Sequence, residues 1–555
     1  VVNKHETVVV FGAAPTRGTI LQDFVPLADS VEWRLGQSVW SLLGPRAFYR
    51  GGVPFRATCC GVLPVAAAEV LFATLKRQEV AGELPETISA LELGIGLGLF
   101  GRAFLDHFRD LCRRRAADYY ERLCYVAADA SARLLEAAMS HGALASHSGH
   151  VEFQSANALR EDFSLVSEDG APRKFQAIFL NYLLDSLPAD VLCWKSGQWQ
   201  RLYLRTAIHL PGDHPFHGLP AAEILRVVSS PEPDELELLL DFRDHLCFEC
   251  VYFPAEEPSL RLVEDAAPFR TCPSGEFVHS HGALRCLEQA SSLLARRGFV
   301  LIADYPPRPR ATSPLFVPDR SGICSSMGVN FTQLANRFAS APELVWIEPD
   351  GDYRRITWRL LARQPFEETA RAFRSGLGAA RIHSLEHPLA CARRFAEENK
   401  ISAASQWFRL ACEVLPSDWY ALWLYGRFLL FHRQDYPAAL EIAESALRRN
   451  PVYPPIWTLY GDALYYLNRL EEAEQAYQRA LYLEPDDARA YYCLSFIHSR
   501  DGRYSEALEC LAAALARDVD ASLRSEILEH QANVLQKLDQ RQRRRRDAVA
   551  NRFIT

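Results

Sequence analysis

From about residue 385 the chain repeats itself every 34 or 35 residues, which marks a stacked array rather than one closed core. Prolines recur at Pro416, Pro451 and Pro485, and upstream of them lie the pairs Ala404/Ala411, Ala439/Ala446 and Ala473/Ala480. A fourth unit supplies Ala507/Ala514, with Val519 in the proline's place. The clearest unit reads "PIWTLYGDALYYLNRLEEAEQAYQRALYLEPD". Its spacing predicts two amphipathic helices folded back on each other. Gly461, Ala473 and Ala480 are small enough to let the two backbones approach, and Trp457 and Tyr477 fill the space between. Pro485 ends the second helix, because proline lacks the N–H that would continue it. Each unit buries its faces only against its neighbours.

Trp457, Gly461, Ala473, Tyr477, Ala480 and Pro485 resemble the tetratricopeptide signature over about residues 385–520. One unit departs from it: Trp423 and Gly426 stand one residue closer than the pattern wants. Residues 521–555 are expected to cap the array with helices. Their segment "QRQRRRRDAVANRF" carries five arginines between Arg541 and Arg546, read as a solvated face or as a patch for an anionic partner.

With 555 residues the chain has room for further domains before the repeats. A net charge of −8 and a pI near 6.1 argue against bulk nucleic-acid binding, which wants a basic domain. Fourteen cysteines are too dilute for a disulfide scaffold. Cys59 and Cys60 are adjacent, and "CFEC" holds Cys247 and Cys250; without a second CxxC these read as buried thiols, a redox or zinc half-site being the other reading. No apolar run reaches the 18 or so residues of a membrane span, and "ETVVVFGAA" is too short for a signal peptide. A cytoplasmic protein without a membrane partner is the expectation.

The first half alternates apolar runs with amphipathic stretches. "SALEL", "LCYVAA", "HVEFQ", "FQAIFL" and "GFVLIADY" read as strands, with helices expected over 99–109, 131–141 and 280–296. That alternation predicts a mostly parallel sheet covered by helices on both faces, with ligands beyond the carboxyl ends of its strands. Residues 81–375 are expected to hold this sheet, preceded by an N-terminal extension over 1–80 with substrate-side elements. Residues 190–280 interrupt it as a large insertion, read as a lid or recognition element, with an acidic run, "SSPEPDELE". Directly after the first strand come Gly94, Gly96 and Gly98. A dinucleotide fingerprint wants its third glycine at position 99, where Leu99 stands, so a nicotinamide cofactor fits poorly. No Gly-Lys-Ser/Thr follows, which excludes a P-loop.

"LELGIGLG", with Glu92 two residues before the first glycine, looks like the first motif of class I S-adenosylmethionine-dependent methyltransferases. The resemblance implies a Rossmann-like α/β fold and S-adenosylmethionine as cofactor, leaving S-adenosylhomocysteine. It implies that Glu92, Gly94, Gly96 and Gly98 pass beside the cofactor's amino acid moiety. Asp129, ending the second strand, would accept from ribose hydroxyls, or else cap the helix beginning near Ser131. Asn157 would meet the adenine after the third strand, with Asp162 as the competing candidate. Asn181, Tyr182 and Asp185 close the fourth strand and Asp304 and Tyr305 the fifth, on the rim where an acceptor would meet the methyl group.

The order of segments resembles the MidA-type methyltransferases, the family that includes the mitochondrial complex I assembly arginine methyltransferase. "NYLLDSLP" echoes their Asn-Glu-x-x-Asp-x-x-Pro, placing its Asn at Asn181, its Asp at Asp185 and its Pro at Pro188. "VLIADYPP" and "GVNFTQLA" echo two later motifs, and the likeness runs from about 35 to 365. Four positions depart from it. Tyr182 stands for a glutamate, Gly328 for a histidine, Asn330 for an aspartate and Pro306 for a glycine. Asp185 and Asp304 remain as carboxylates for an arginine acceptor, with Glu249 and Glu276 as additions. His279 and His281 lack convincing fellow ligands for a metal and read as surface or core residues, so no metal is expected.

The expected function is a cofactor-dependent methyltransferase acting on a protein, an arginine side chain included, with the repeats recruiting the substrate or another protein or peptide, or a second copy of the chain. The alternative is a catalytically inactive methyltransferase fold kept as an interaction scaffold, for which Tyr182, Gly328 and Asn330 argue.

Overall fold

The computed structural model describes residues 9–11, 19–49, 61–159, 173–229, 235–255, 269, 275–308, 325–351, 356–518 and 521–552. Cys59, Cys60, Asp162, Val519 and most of "SSPEPDELE" lie outside them. The chain forms two compact units, the first holding Val1–Ser140 and Leu144–His383 and the second His141–Ala143 and Ser384–Thr555.

In chain order the strands of the first unit are β1 (Val9–Phe11), β2 (Thr19–Pro26), β3 (Ile88–Leu93), β4 (Leu123–Asp129), β5 (Val151–Ser155), β6 (Phe175–Asn181), β7 (Asp190–Lys195), β8 (Gln198–Ile208), β9 (Leu246–Pro254), β10 (Glu276–His279), β11 (Leu294–Asp304), β12 (Leu344–Ile347) and β13 (Thr357–Arg363). Seven of them make one sheet in the order β12-β13-β11-β6-β3-β4-β5. Its middle is parallel, and β13 runs antiparallel to both β11 and β12. Every residue of β3 and β6 is buried, as expected of central strands covered on both faces. The strand order reverses at β3/β6, where an open α/β sheet leaves its ligand crevice.

The expected strands are all present, and the first two helices take the expected places at Leu99–Arg115 and Ala132–Ser140. The helix expected over 280–296 stops at Ser292, because β11 begins at Leu294. A register shift between Leu294 and Phe299 and a left-handed Arg297, at φ 69°, make that junction.

The insertion is a second sheet, which the sequence did not announce. Strands β7 to β10 pair antiparallel with β1 and β2 from the N-terminal extension, in the order β1-β9-β8-β7-β10 with β2 on β8. Cys247 and Cys250 are buried on β9. Three residues apart on a strand, they point to opposite faces, so they are not a two-thiol site. Among the described residues no group of three or more metal-ligating side chains forms, and no helix is long and apolar enough to cross a membrane.

The second unit is a run of antiparallel helix pairs: Trp419–Phe428 with Tyr436–Arg449, Pro454–Tyr466 with Leu470–Leu483, and Ala488–Arg500 with Tyr504–Arg517. A β-carbon on Gly461 would lie 2.6 Å from the Tyr477 ring, so the glycine sets the closeness of that pair. The displaced Gly426 meets Leu459 of the next unit, at 2.7 Å by the same measure, and a π-helical turn at Leu429–Arg433 follows it. Asp418, Asp435 and Asp487 cap first-turn N–H groups. One helix, Arg524–Arg552, stands where capping helices were expected. On it Arg541 donates to the Gly502 carbonyl and Arg543 pairs with Asp539.

Candidate functional site

Gly94, Gly96 and Gly98 carry φ of 80°, 53° and 74°, the left-handed region that side chains disfavour. The turn is pinned from below by the Ala128 carbonyl, which accepts from the N–H groups of Gly94 and Ile95 at 2.8 and 3.2 Å. Gly98 then becomes the N-cap of helix Leu99–Arg115.

Asp129 joins this turn to the next. Its Oδ2 accepts from Gly96 N–H at 3.3 Å and its Oδ1 from Ser131 N–H at 2.9 Å. Burial pushes its carboxyl up, and the backbone donors around it pull the other way. The cap of the following helix is Ser131, whose Oγ accepts from Leu134 N–H. Asp129 therefore organises the two loops that frame the crevice.

Glu92 lies behind the turn, not in the open cleft. It is 2 % exposed and accepts from the Tyr125 hydroxyl at 2.7 Å. Burial holds its carboxyl up at about 8, with the Asp129 charge adding to the rise. The Asn181 amide stands close enough to favour the charged form, yet neither Nδ2 nor Oδ1 of Asn181 completes a hydrogen bond. Asn181 is 9 % exposed, so its amide is buried at the mouth of β6 with Oδ1 unpartnered and only the nearby Glu92 carboxyl for Nδ2 to face. Such groups are rare in native folds and call for a ligand or water.

Tyr182 follows with φ 50°, a strained value for an aromatic residue. Its N–H is held by the Ala303 carbonyl, and its ring stands 5.0 Å from that of Tyr305. Burial, then Tyr305, push its hydroxyl far above the ordinary range. Asp185 sits on the short turn Leu184–Ser186, its carbonyl accepting from Met327 N–H.

Asp304 corrects one expectation. It is fully buried, Oδ2 accepting from Leu184 and Asp185 N–H and Oδ1 from Tyr305 N–H. Burial, then the Asp185 charge, push its carboxyl well up. Enclosed in this way it positions Asp185 and meets no acceptor itself. Glu249 and Glu276 also leave the rim. Both lie on the second sheet, where Glu249 pairs with Arg205 at 3.1 Å and Glu276 is buried beside Tyr252. Asn157 is exposed at the end of β5, its Oδ1 accepting from Leu159 N–H. His279 is buried, and His281 stands 3.3 Å from Asp190.

Two departures from the family pattern are structural. Asn330 caps helix Phe331–Ala339 through Gln333 N–H and donates Nδ2 to the Val278 carbonyl at 2.8 Å, which an aspartate could not do. Gly328 packs against the Pro306 and Pro307 backbone.

One residue was missed. Phe48, in the short helix Arg46–Tyr49, presses its ring on the glycine turn, 2.7 Å from where a β-carbon on Gly96 would lie. The Trp40 ring meets it edge-on at 5.4 Å. Nothing local to "RAFYR" announces a contact with a turn 48 positions away.

Residues 67–324 match the family described as "Putative S-adenosyl-L-methionine-dependent methyltransferase", and residues 430–495 match the tetratricopeptide repeat. Residues 67–324 thus form a methyltransferase-family domain, fused to a tetratricopeptide region at 430–495. The domain's glycine turn, Asp129 and Asn181 all fall inside the matched span. Among curated proteins, the chain is 40 % identical over 89 residues to a peroxisomal targeting signal receptor of Candida glabrata, covering 16 % of this chain and 15 % of the receptor. The Saccharomyces cerevisiae receptor is 39 % identical over 88 residues, covering 16 % and 14 %. The chain thus spans about a seventh of the length of these relatives. Among solved structures, the TPR2B-domain:pHsp70-complex of yeast Sti1 is 24 % identical with a TM-score of 0.21, covering 21 % of this chain and 97 % of that one. The MamA protein is 15 % identical with a TM-score of 0.24, covering 29 % and 95 %.

Proposed function

We propose that this chain binds S-adenosylmethionine at the Gly94–Gly98 turn and methylates a protein that its repeats recruit. The observation that carries the reading is the under-satisfied amide of Asn181, buried beside that turn and Glu92 with its Oδ1 unpartnered. When bound, the cofactor supplies a methyl group on a sulfonium, which departs as a neutral thioether. The donor set fits it. Asn181 offers both an N–H and a carbonyl, and Asp129, fixed between two loops, offers lone pairs to hydroxyls.

The acceptor side is built from Tyr182, Tyr305 and Asp185. The paired rings suit a flat or cationic nitrogen group. Asp185, held in place through Asp304, orients a nitrogen N–H and takes its proton as the new N–C bond forms. Alignment and exclusion of water are the chain's main contributions. An arginine side chain is one acceptor of this kind.

Gly328 and Asn330 have packing roles, but the side chains the family pattern wants there are still absent, so both continue to support the scaffold reading. Tyr182 favours it too. The test is to incubate the folded chain with methyl-labelled cofactor and a protein extract. Label carried to protein, and lost in Asp185→Ala, supports the enzyme. Cofactor binding without transfer selects the scaffold.

A further inference from the structure

The acceptor rim has a hydrogen-bonding polarity of its own. Tyr182 and Tyr305 bring two hydroxyls to it, their rings 5.0 Å apart and tilted by 41°. The Tyr182 hydroxyl is buried and completes no hydrogen bond, with only the Tyr305 hydroxyl for it to face. Burial pushes both hydroxyls up, and the Asp185 charge adds to each rise, so both keep their protons. Two hydroxyls that face each other use one O–H between them and leave the other to give. Asp185 has the opposite sense, because an ionised carboxylate only accepts. The rim thus offers an O–H donor and a carboxylate acceptor together. In the family pattern position 182 holds a glutamate, an acceptor, so the tyrosine reverses the sense of that contact.

The other acids named for this rim are engaged elsewhere. Asp304 is fully buried with both oxygens on backbone N–H groups. Glu92 lies behind the glycine turn, and Glu249 and Glu276 are on the second sheet. Arg308 already brings a guanidinium over the Tyr305 ring, 5.7 Å from its centre.

A second guanidinium suits this rim poorly. It carries five N–H donors and no acceptor, so nothing on it meets the O–H. It is also a cation both before and after methylation. Once Asp185 has taken a proton, that cation faces no counter-charge, a costly state away from water. A carboxamide meets both conditions. Its carbonyl accepts from the hydroxyl, its NH₂ donates to Asp185, and it is neutral throughout.

We propose that the acceptor is a carboxamide, the side chain of a glutamine or asparagine in a protein substrate, held at its carbonyl by the Tyr182–Tyr305 hydroxyls and at its nitrogen by Asp185. The inference rests on the methyl transfer proposed above and names its acceptor class. The amide nitrogen forms the new bond to the methyl carbon, the carbon–sulfur bond breaks with its electron pair going to sulfur, and the nitrogen's proton passes to Asp185. Carboxylate, amide and sulfonium become carboxylic acid, methylamide and thioether, so a single carboxylate balances the charge.

The test has two arms. In the first, the full chain is incubated with cofactor radiolabelled in its methyl group and a protein extract, and the labelled protein is hydrolysed in hot acid. A methylcarboxamide releases its label as volatile methylamine, whereas methylarginine survives. Methylamine is the expected product. Label recovered as methylarginine, released by mild base as methanol from an ester, or carried by nucleic acid would overturn the proposal while sparing methyl transfer. No label in any product would overturn the transfer itself, and this proposal with it. The second arm needs no cofactor: saturation-transfer NMR of the chain with Nα-acetylglutaminamide and, separately, Nα-acetylargininamide. The glutamine probe is expected to bind, and to weaken by up to about tenfold in the double variant Tyr182→Phe, Tyr305→Phe, which keeps both rings and removes both hydroxyls. The melting curve of the double variant checks that it is folded. An arginine probe that binds as well, a glutamine probe that does not bind, or glutamine binding indifferent to the two hydroxyls would each overturn the proposal.

Discussion

Gly328 and Pro306 fit each other: a β-carbon on Gly328 would fall 2.5 Å from the Pro306 carbonyl oxygen. Both positions depart from the family pattern, and the contact, made with backbone atoms of Pro306 and Pro307, accounts for the small residue at 328. The Val329 N–H beside them donates to the Tyr305 carbonyl at 2.7 Å, so the pair also holds the aromatic wall of the site. Gly328→Ala is expected to cost about 1–3 kcal/mol, the usual penalty of overpacking against backbone. Urea unfolding of the variant measures it, and an unchanged midpoint would refute the contact.

Phe48 and Gly96 should be coupled. Gly96→Ala introduces both a clash with the ring and a left-handed alanine. In a Phe48→Ala background the clash disappears and only the backbone strain remains. A double-mutant cycle on stability should show about 0.5–3 kcal/mol of interaction. Additive effects would mean that the two do not touch.

Asp129→Ala leaves the Gly96 and Ser131 N–H groups without their acceptor. The expected loss of stability is about 1–3 kcal/mol. Cofactor binding should fall much more than in Asp185→Ala, which should mainly reduce turnover. Titration calorimetry on both variants separates the two effects.

Glu92 predicts a pH dependence. Its carboxyl is held up at about 8 in the fold, mainly by burial, so the folded chain keeps a proton that the unfolded chain loses near the ordinary value of 4.5. Its contribution to stability is therefore whole below that ordinary value and is lost as pH rises to about 8. The full swing is about 5 kcal/mol at most. Glu92→Gln should flatten this part of the profile, read as the difference between the two proteins' unfolding free energies across that window. Parallel profiles would contradict the burial of a protonated Glu92.

The legible parts of the fold were those in which a residue's neighbours are close in sequence. Strand β3 is followed by glycines, β4 ends in Asp129, and the repeats carry their alanine pairs at a fixed spacing, three of them with a closing proline. Pairing of β2 with β8 was not legible, because any alternating strand can pair with any other and only the assembled sheet selects the partner. The same holds in the site. The sequence placed Asp129 and Asn181 at strand ends, but it did not show that Asp304 turns inward to three backbone N–H groups. Phe48 was invisible for the same reason: its contact with Gly96 is made by folding alone.

The most direct test of the central claim is calorimetric titration of the folded chain with S-adenosylmethionine and, separately, with S-adenosylhomocysteine. One-site binding of both at micromolar concentrations is expected, weakened at least about tenfold by Asp129→Ala and by Asn181→Leu, which removes the buried amide. Failure of the folded chain to bind either would contradict it and leave the repeats as the working part of the protein.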